Sequence, residues 1–150
     1  MAEIESASSA HAGLGAPVFT TTAENRTGST GTSWIEGGIL VDVHAPTSLN
    51  RGDATNPEEL LALSWATCLN AAARVVAGPE VEVVARATVA LHPRLDGEGF
   101  EFSAHAHLFF EGKSAAESDA LAQAAHARCP VSRMLGGRSP VTVTSVTDLT

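Results

Sequence analysis

The stretch that decides the fold reads Asn56-Pro-Glu-Glu-Leu-Leu-Ala-Leu-Ser-Trp-Ala-Thr-Cys-Leu-Asn-Ala-Ala-Ala-Arg-Val-Val-Ala77, an apolar run without an internal helix breaker. Asn56 is suited to cap the first free backbone N–H groups, and Pro57 fits the first helical position. Glu58 and Glu59 complement the positive end of the helix dipole. The stretch therefore predicts a long, buried central helix, with Cys68 in its middle and away from solvent.

The second of the chain's two cysteines, Cys129, follows another predicted helix. Ser114 and Glu117 have the spacing of a capping box, which predicts that this helix starts near Ala115. Pro130 disfavours its continuation beyond Arg128. Cys129 is therefore predicted to be a junction residue that is free to move.

Strands are predicted before and after the central helix, from alternating apolar and polar residues bounded by turn residues. They comprise a first strand, a hairpin, a long antiparallel pair and a last strand, at residues 17–23, 34–44, 81–92 with 99–110, and 141–146. This order of elements predicts an α+β fold, with antiparallel sheets packed around the central helix. Residues 1–16 are interpreted as a mobile tail and residues 17–150 as a single domain.

Composition limits the classes of function. With 150 residues, of which 44% are apolar, the chain can bury the core of one domain. Its net charge of −8 argues against a nucleic-acid or anionic-membrane partner. The start lacks the features of a secretory signal, and no other segment is expected to be long enough to span a bilayer. A cytoplasmic location follows as an interpretation, and there a cysteine pair is more often catalytic, sensing or metal-binding than structural.

Three features together resemble the OsmC/Ohr family of organic hydroperoxide reductases over about residues 17–150. They are the helix start Thr55-Asn-Pro-Glu-Glu-Leu60, Cys68 ten positions after Glu58, and Cys129-Pro-Val-Ser132. The resemblance implies that Cys68 is the peroxidatic cysteine and Cys129 the resolving one. It also implies an OsmC/Ohr-like intertwined homodimer. Leu60-Leu61 is closer to the Ohr branch, and Cys129-Pro-Val-Ser132 to the OsmC branch.

In that family a glutamate and an arginine assist the peroxidatic cysteine. The resemblance places the first role on Glu58. For the arginine we choose Arg26, in the turn after the first strand, with Arg51 as the alternative. The reductant that the resemblance implies is a dithiol, such as a dihydrolipoyl protein or another thiol donor; neither a cofactor nor a metal is needed.

The chemistry of a thiol also requires a cation near Cys68. A thiolate cleaves the peroxide O–O bond, whereas a free cysteine, with a pKa of about 8.5, is mostly protonated at neutral pH. Glu58 lies about 15 Å along the axis of the same helix from Cys68, because each helical residue rises about 1.5 Å. Either an arginine spans part of this gap, or Glu58 and Arg26 act on the Cys68 of a second chain. We favour the second possibility, a composite site in a dimer.

The leading interpretation is a peroxidase that reduces organic hydroperoxides through a Cys68 sulfenic acid and a Cys68–Cys129 disulfide. Trp65 and Ser64 either pack the helix or line a pocket for an apolar hydroperoxide. The alternative is a redox sensor or small-molecule binding protein with little turnover. A third hypothesis, a metal protein that uses the cysteines with His105 and His107, lacks the ligand spacing of known sites.

Overall fold

The structure of the protein is a computed structural model that describes residues 13–50 and 52–148. Within these residues two antiparallel sheets and three helices make up an α+β fold, which confirms the predicted fold class. In chain order the elements are β1 (Ala23–Asn25), β2 (Gly31–Ile35), β3 (Leu40–Val43), α1 (Pro57–Ala77), β4 (Val83–Pro93), β5 (Phe100–Phe110), α2 (Ala115–Arg128) and α3 (Pro130–Leu135).

Helix α1 starts and ends where its sequence indicates. The side chain of Asn56 accepts a hydrogen bond from the backbone N–H of Glu59 at 2.9 Å, and Pro57 occupies the first turn. Gly78 ends the helix with a φ of 90°, a backbone conformation that residues other than glycine rarely adopt. One face of α1 is buried, and its residues form the centre of the core: Trp65, Leu69, Ala72 and Ala73.

The β4–β5 hairpin covers that buried face. Its register pairs Val83 with Phe110 at one end and Pro93 with Phe100 at the other. Val83 and Phe110 are buried in the core, and the side-chain amide of Asn70 donates to the Val83 carbonyl at 2.9 Å. We call α1, β4, β5, α2 and α3 the body.

Helices α2 and α3 complete the body. The capping box is present: Glu117 N–H donates to the Ser114 hydroxyl, and the Glu117 carboxylate accepts from the Ser114 N–H. Helix α3 begins at Pro130, directly after Cys129, and is absent from the sequence prediction, which has Pro130 only as the end of α2. A proline also fits the first position of a new helix, and here it has that role.

The sheet of β1, β2 and β3, called here the N-terminal sheet, stands apart from the body. None of its Cα atoms lies within 8 Å of a Cα atom in the body's helices or strands. It is tied to the start of α1 by Thr55, whose N–H donates to the Asp42 carbonyl at 2.8 Å and whose carbonyl accepts from the His44 N–H at 3.0 Å. Within β1–β3 Val43 is the one buried residue.

Two predicted strands are wrong. Residues 17–22 and 141–146 are not in strands, and β1 covers only Ala23–Asn25. Both segments are rich in residues that favour strands, but they have no strand to pair with in the described part of the chain. Their large apolar side chains are exposed, among them Val18, Phe19, Val141, Val143 and Val146.

The prediction that no segment is long enough to span a bilayer is also wrong. Helix α1, with 21 residues, is long and apolar enough to cross a membrane. Its packing against β4, α2 and α3 makes it the core helix of this fold. Of the proposed tail, residues 1–12 lie outside the described residues, so that assignment stays a prediction.

Candidate active site

The structure brings the two cysteines together. Cys68 lies in the middle of α1, and Cys129 forms the junction between α2 and α3. The two thiols are close enough that each shifts the pKa of the other, raising that of Cys68 and lowering that of Cys129. Both cysteines are free thiols, separated by 61 positions in sequence (129 − 68) and joined by the packing of α2 and α3 on α1.

Cys129 is fully buried, so the prediction that it is free to move is wrong. Its N–H donates to the Ala125 carbonyl at 2.9 Å and closes α2, while its sulfur accepts from the Ser132 N–H at 3.4 Å and caps α3. Burial raises the pKa of Cys129, but hydrogen bonds from Ser132, Cys68 and Val131 outweigh burial and lower the pKa of this thiol below its ordinary value.

Cys68 is half-buried rather than shielded from solvent as the sequence predicts. Burial and the neighbouring Cys129 raise the pKa of the Cys68 thiol, and the backbone N–H of Val131 only partly offsets them. No cation lowers this pKa within the described residues. Within one chain, the negative charge of the thiol pair is therefore better stabilised on Cys129 than on Cys68.

Trp65 and Ser64 have different surroundings in the structure. Trp65 is buried in the core, and its indole N–H donates to the Ser132 hydroxyl at 2.8 Å. It also lines a mostly apolar cavity of about 310 Å³, together with Leu69, Ala106, Leu108, Ala122, Gln123 and His126. Ser64 is exposed and does not line this cavity.

Arg26 and Glu58 lie away from Cys68 in the same chain. Arg26 follows β1, forms an exposed ion pair with Glu24, and lies 6.0 Å from the centre of the Trp34 ring. Arg51, the alternative to Arg26, lies outside the described residues. Glu58 lies in the first turn of α1, and one of its carboxylate oxygens is buried without a hydrogen-bond partner among the described residues.

Glu58 lines a cavity between the first turn of α1 and the far end of the β4–β5 hairpin. The cavity has a volume of about 560 Å³ and is lined by Pro46, Thr47, Asn56, Glu58, Glu59, Val89, Leu91, Pro93 and Phe100. Neither cysteine lines it. Within the described chain, Glu58 and the cysteine pair therefore belong to different sites.

The two histidines of the metal hypothesis are exposed on β5, with ring centres 5.4 Å apart. Among the residues that the structure describes, no group of three or more His, Cys, Asp or Glu side chains could hold a metal ion. Ser132, which contacts both Trp65 and Cys129, has no role in the sequence analysis. The signal for it was the spacing Cys129-Pro-Val-Ser132, a residue three positions after a cap.

Comparisons with known proteins give a consistent family. Residues 50–144 match the family described as OsmC-like protein. Over 93 residues the chain is 37% identical to the organic hydroperoxide resistance protein OhrA of Bacillus subtilis, a match that covers 60% of this chain and 66% of that relative. A second relative, an organic hydroperoxide resistance protein-like protein of Mycoplasma pneumoniae, is 30% identical over 80% of this chain and 89% of its own length.

Solved structures agree with the sequence relatives. The structure is similar to that of an organic hydroperoxide resistance protein from Legionella pneumophila, with a TM-score of 0.72, 31% identity, and 82% of this chain and 93% of that one covered. It is also similar to OhrB of Bacillus subtilis, with a TM-score of 0.74, 25% identity, and coverage of 82% and 95%.

Proposed function

The chain belongs to the OsmC-like protein family, and on that premise we propose that it is a thiol peroxidase that reduces organic hydroperoxides to alcohols. The observation that carries the proposal is the proximity of Cys68 and Cys129, one half-buried thiol beside one buried thiol, close enough that each shifts the pKa of the other. The names of the relatives support organic hydroperoxides as the substrate class. Two thiols in contact can form a disulfide without a large movement of the backbone.

The proposed reaction begins with the thiolate of Cys68. It attacks the terminal oxygen of the hydroperoxide, an S–O bond forms, the O–O bond breaks, and the alkoxide takes up a proton and leaves as the alcohol. Cys68 is then a sulfenic acid. Cys129 attacks its sulfur, a disulfide forms, and the hydroxyl leaves as water. An external dithiol then reduces the disulfide and is itself oxidised.

The first step needs a cation that one chain does not supply within the described residues. The pKa of Cys68 is raised by burial and by Cys129, so its thiol is mostly protonated at neutral pH. A guanidinium within about 4–6 Å of a thiol favours the thiolate, with pKa shifts of roughly 1–3 units for such neighbouring charges. We assign this role to Arg26 of a second chain, oriented by Glu58 of that chain, and infer that the active unit is a homodimer.

Three observations support a second chain. The N-terminal sheet that carries Arg26 stands apart from the body of its own chain. A carboxylate oxygen of Glu58 is buried and has no hydrogen-bond donor among the described residues. Large apolar side chains are exposed on the N-terminal sheet, on α1 and β5, and in the segments that flank the body, including Phe19, Ile39, Leu40, Leu63, Val75, Phe100, Phe102, Phe109, Val141 and Val143. A second copy that covers these surfaces satisfies all three.

The raised pKa of Cys68 also favours a second candidate function, a redox sensor on the same fold. A sensor needs one slow oxidation to the disulfide and no rapid turnover. The number of peroxide equivalents consumed per chain distinguishes the two functions. When a dithiol is present, a peroxidase consumes many equivalents and a sensor consumes about one.

The test is a steady-state assay with cumene hydroperoxide, a fatty-acid hydroperoxide and hydrogen peroxide, with dihydrolipoamide as the reductant. We expect Cys68→Ser to abolish turnover, since a hydroxyl is a far weaker nucleophile than a thiolate. The matched variant Cys129→Ser is expected to complete one turnover and to leave a sulfenic acid on Cys68 that dimedone traps. Turnover that persists in Cys68→Ser rules out the proposed mechanism, and a wild type that stops after one equivalent supports the sensor.

A further inference from the structure

A buried chain of hydrogen bonds connects Trp65 to the cysteine pair through Ser132. The indole N–H of Trp65 donates to the Ser132 hydroxyl at 2.8 Å, and the Ser132 N–H donates to the Cys129 sulfur at 3.4 Å. Trp65 is 7% exposed, Ser132 is 2% exposed and Cys129 is fully buried. Because water is nearly excluded, these groups satisfy their hydrogen bonds with one another.

The chemistry of the three groups fixes the direction of this chain. An indole N–H only donates, and a serine hydroxyl has one proton and two acceptor lone pairs. Since Trp65 donates to the Ser132 oxygen, the proton of that hydroxyl is left for another acceptor, and the Ser132 side chain lowers the pKa of the neighbouring Cys129. Ser132 therefore acts on one sulfur atom through its N–H, which donates to that sulfur, and through its side chain.

These contacts favour the thiolate of Cys129 over its thiol. Cys68 and the backbone N–H of Val131 lower the pKa of Cys129 further. For Cys68 the same Val131 N–H only partly offsets burial and the neighbouring Cys129, which raise its pKa. The two cysteines therefore differ as leaving groups, because the thiol with the lower pKa leaves a disulfide faster.

Access to the two sulfurs differs in the same sense. Cys68 is half-buried, on a helix with one face open to solvent, whereas Cys129 is fully enclosed. In a single chain, an external thiolate therefore has better access to Cys68 than to Cys129. Attack at Cys68 is favoured both by access and by the stability of the sulfur that is expelled.

We propose that Ser132, held by Trp65, is a positioning residue that makes Cys129 the leaving group when the disulfide is reduced. The inference rests on the proposed function, since it concerns the same cysteine pair. A thiolate of the external dithiol attacks the Cys68 sulfur, a mixed disulfide forms there, and Cys129 departs with the electron pair of the broken S–S bond. The second thiol of the donor then loses its proton and attacks the donor's own sulfur, which releases Cys68 and leaves the donor as a disulfide.

The first test measures the pKa of Cys129 in a Cys68→Ser background, where it is the only thiol, by the ultraviolet absorbance of the thiolate. We expect Ser132→Ala to raise this pKa by about one unit, a tenfold lower thiolate fraction below the pKa. Trp65→Phe, which keeps Ser132 and the aromatic ring, should raise it by less. Ser118→Ala, a serine on α2 away from the cysteines, is the matched control. An unchanged pKa in folded Ser132→Ala or, should that variant not fold, in Trp65→Phe overturns the proposal.

The second test locates the mixed disulfide. Wild-type protein oxidised with diamide is treated with a monothiol, quenched with acid and digested for mass spectrometry. We expect the monothiol on Cys68, and slower opening of the disulfide by roughly threefold or more in Ser132→Ala, since a higher leaving-group pKa slows exchange. A monothiol found mainly on Cys129 overturns the proposal. Neither test requires hydroperoxide turnover, so a failure of the peroxidase proposal is seen separately.

Discussion

The body and the N-terminal sheet differ in how completely a single chain buries them. In the body, α1 packs against β4, α2 and α3, and Leu69, Ala73 and Phe110 are almost fully enclosed. In the N-terminal sheet only Val43 is buried, while Ile39 and Leu40 are about two-thirds exposed, at 63% and 65%. A small sheet with little packing is marginally stable by itself. The body thus has a buried core of its own, and the N-terminal sheet has almost none.

The same difference divides the candidate catalytic residues. The body contains both thiols and the Trp65–Ser132 pair that contacts Cys129. The N-terminal sheet carries Arg26, the proposed cation, whose ion-pair partner Glu24 lies on the same sheet. In the proposed mechanism one chain supplies both cysteines of the disulfide, whereas formation of the Cys68 thiolate depends on the sheet of a second chain.

The largest expected effect contrasts one apolar residue from each region. Leu69→Ala removes a side chain that is 3% exposed in the body and should cost about 2–5 kcal/mol of unfolding free energy. Ile39→Ala, in the sheet, should cost less than about 0.5 kcal/mol in dilute protein, as exposed positions do. Urea denaturation at a low and a high protein concentration checks both values.

Protein concentration provides a second comparison of Ile39→Ala with Leu69→Ala. If a second chain covers the sheet, the cost of Ile39→Ala should grow as the protein concentration rises, because association stabilises the covered surface. The additional loss caused by Leu69→Ala should be the same at both concentrations. If the two variants lose equal unfolding free energy in dilute protein, the distinction between a body with its own core and a sheet with almost none is contradicted.

A smaller effect is expected from the charge on the sheet. Arg26→Ala should raise the pKa of Cys68 by about one unit in the assembled protein, because the loss of a nearby cation disfavours the thiolate. The rate of Cys68 oxidation at neutral pH should then fall about tenfold and recover at higher pH. Pre-steady-state oxidation measured across a pH series gives the comparison.

The matched control for Arg26 is Arg94. Both are exposed arginines paired with a carboxylate two positions away, Arg26 with Glu24 and Arg94 with Asp96. Arg94 lies in the turn between β4 and β5, so Arg94→Ala should leave the pH profile unchanged. A profile that moves equally in both variants assigns the effect to net charge and not to a specific cation.

Sequence reasoning was most successful where local signals decide the structure. The Asn56 cap and Pro57 define the start of α1, and the capping box at Ser114 defines the start of α2. Strand β4 begins two residues later than predicted, because the Val81 N–H bonds back to the Gly78 carbonyl in a turn. Local hydrogen bonds of this kind are determined by residues that are close in sequence.

The wrong and absent predictions share a physical cause. Each of these features depends on what the segment contacts in the fold, and not only on its own residues. Segments 17–22 and 141–146 have the composition of strands but no strand to pair with among the described residues. Pro130 can end one helix or begin the next, and both happen at Cys129. The contact of Ser132 with Trp65 arises only once α3 packs on α1, so the sequence could suggest the motif but not its function.

The measurement that tests the composite site most directly is complementation between an inactive chain and one with about a tenth of the activity. An Arg26→Ala chain and a Cys68→Ser chain are mixed, dissociated and re-annealed, and hydroperoxide turnover is compared with that of each parent. In the heterodimer, one of the two sites contains an intact Cys68 and an intact Arg26 from different chains. We predict that the mixture gains activity over both parents, towards a quarter of the wild-type level for random pairing, since half of the dimers then carry one of two complete sites. No gain over the parents, or an active monomer in sedimentation, would place the cation within the same chain and contradict the account.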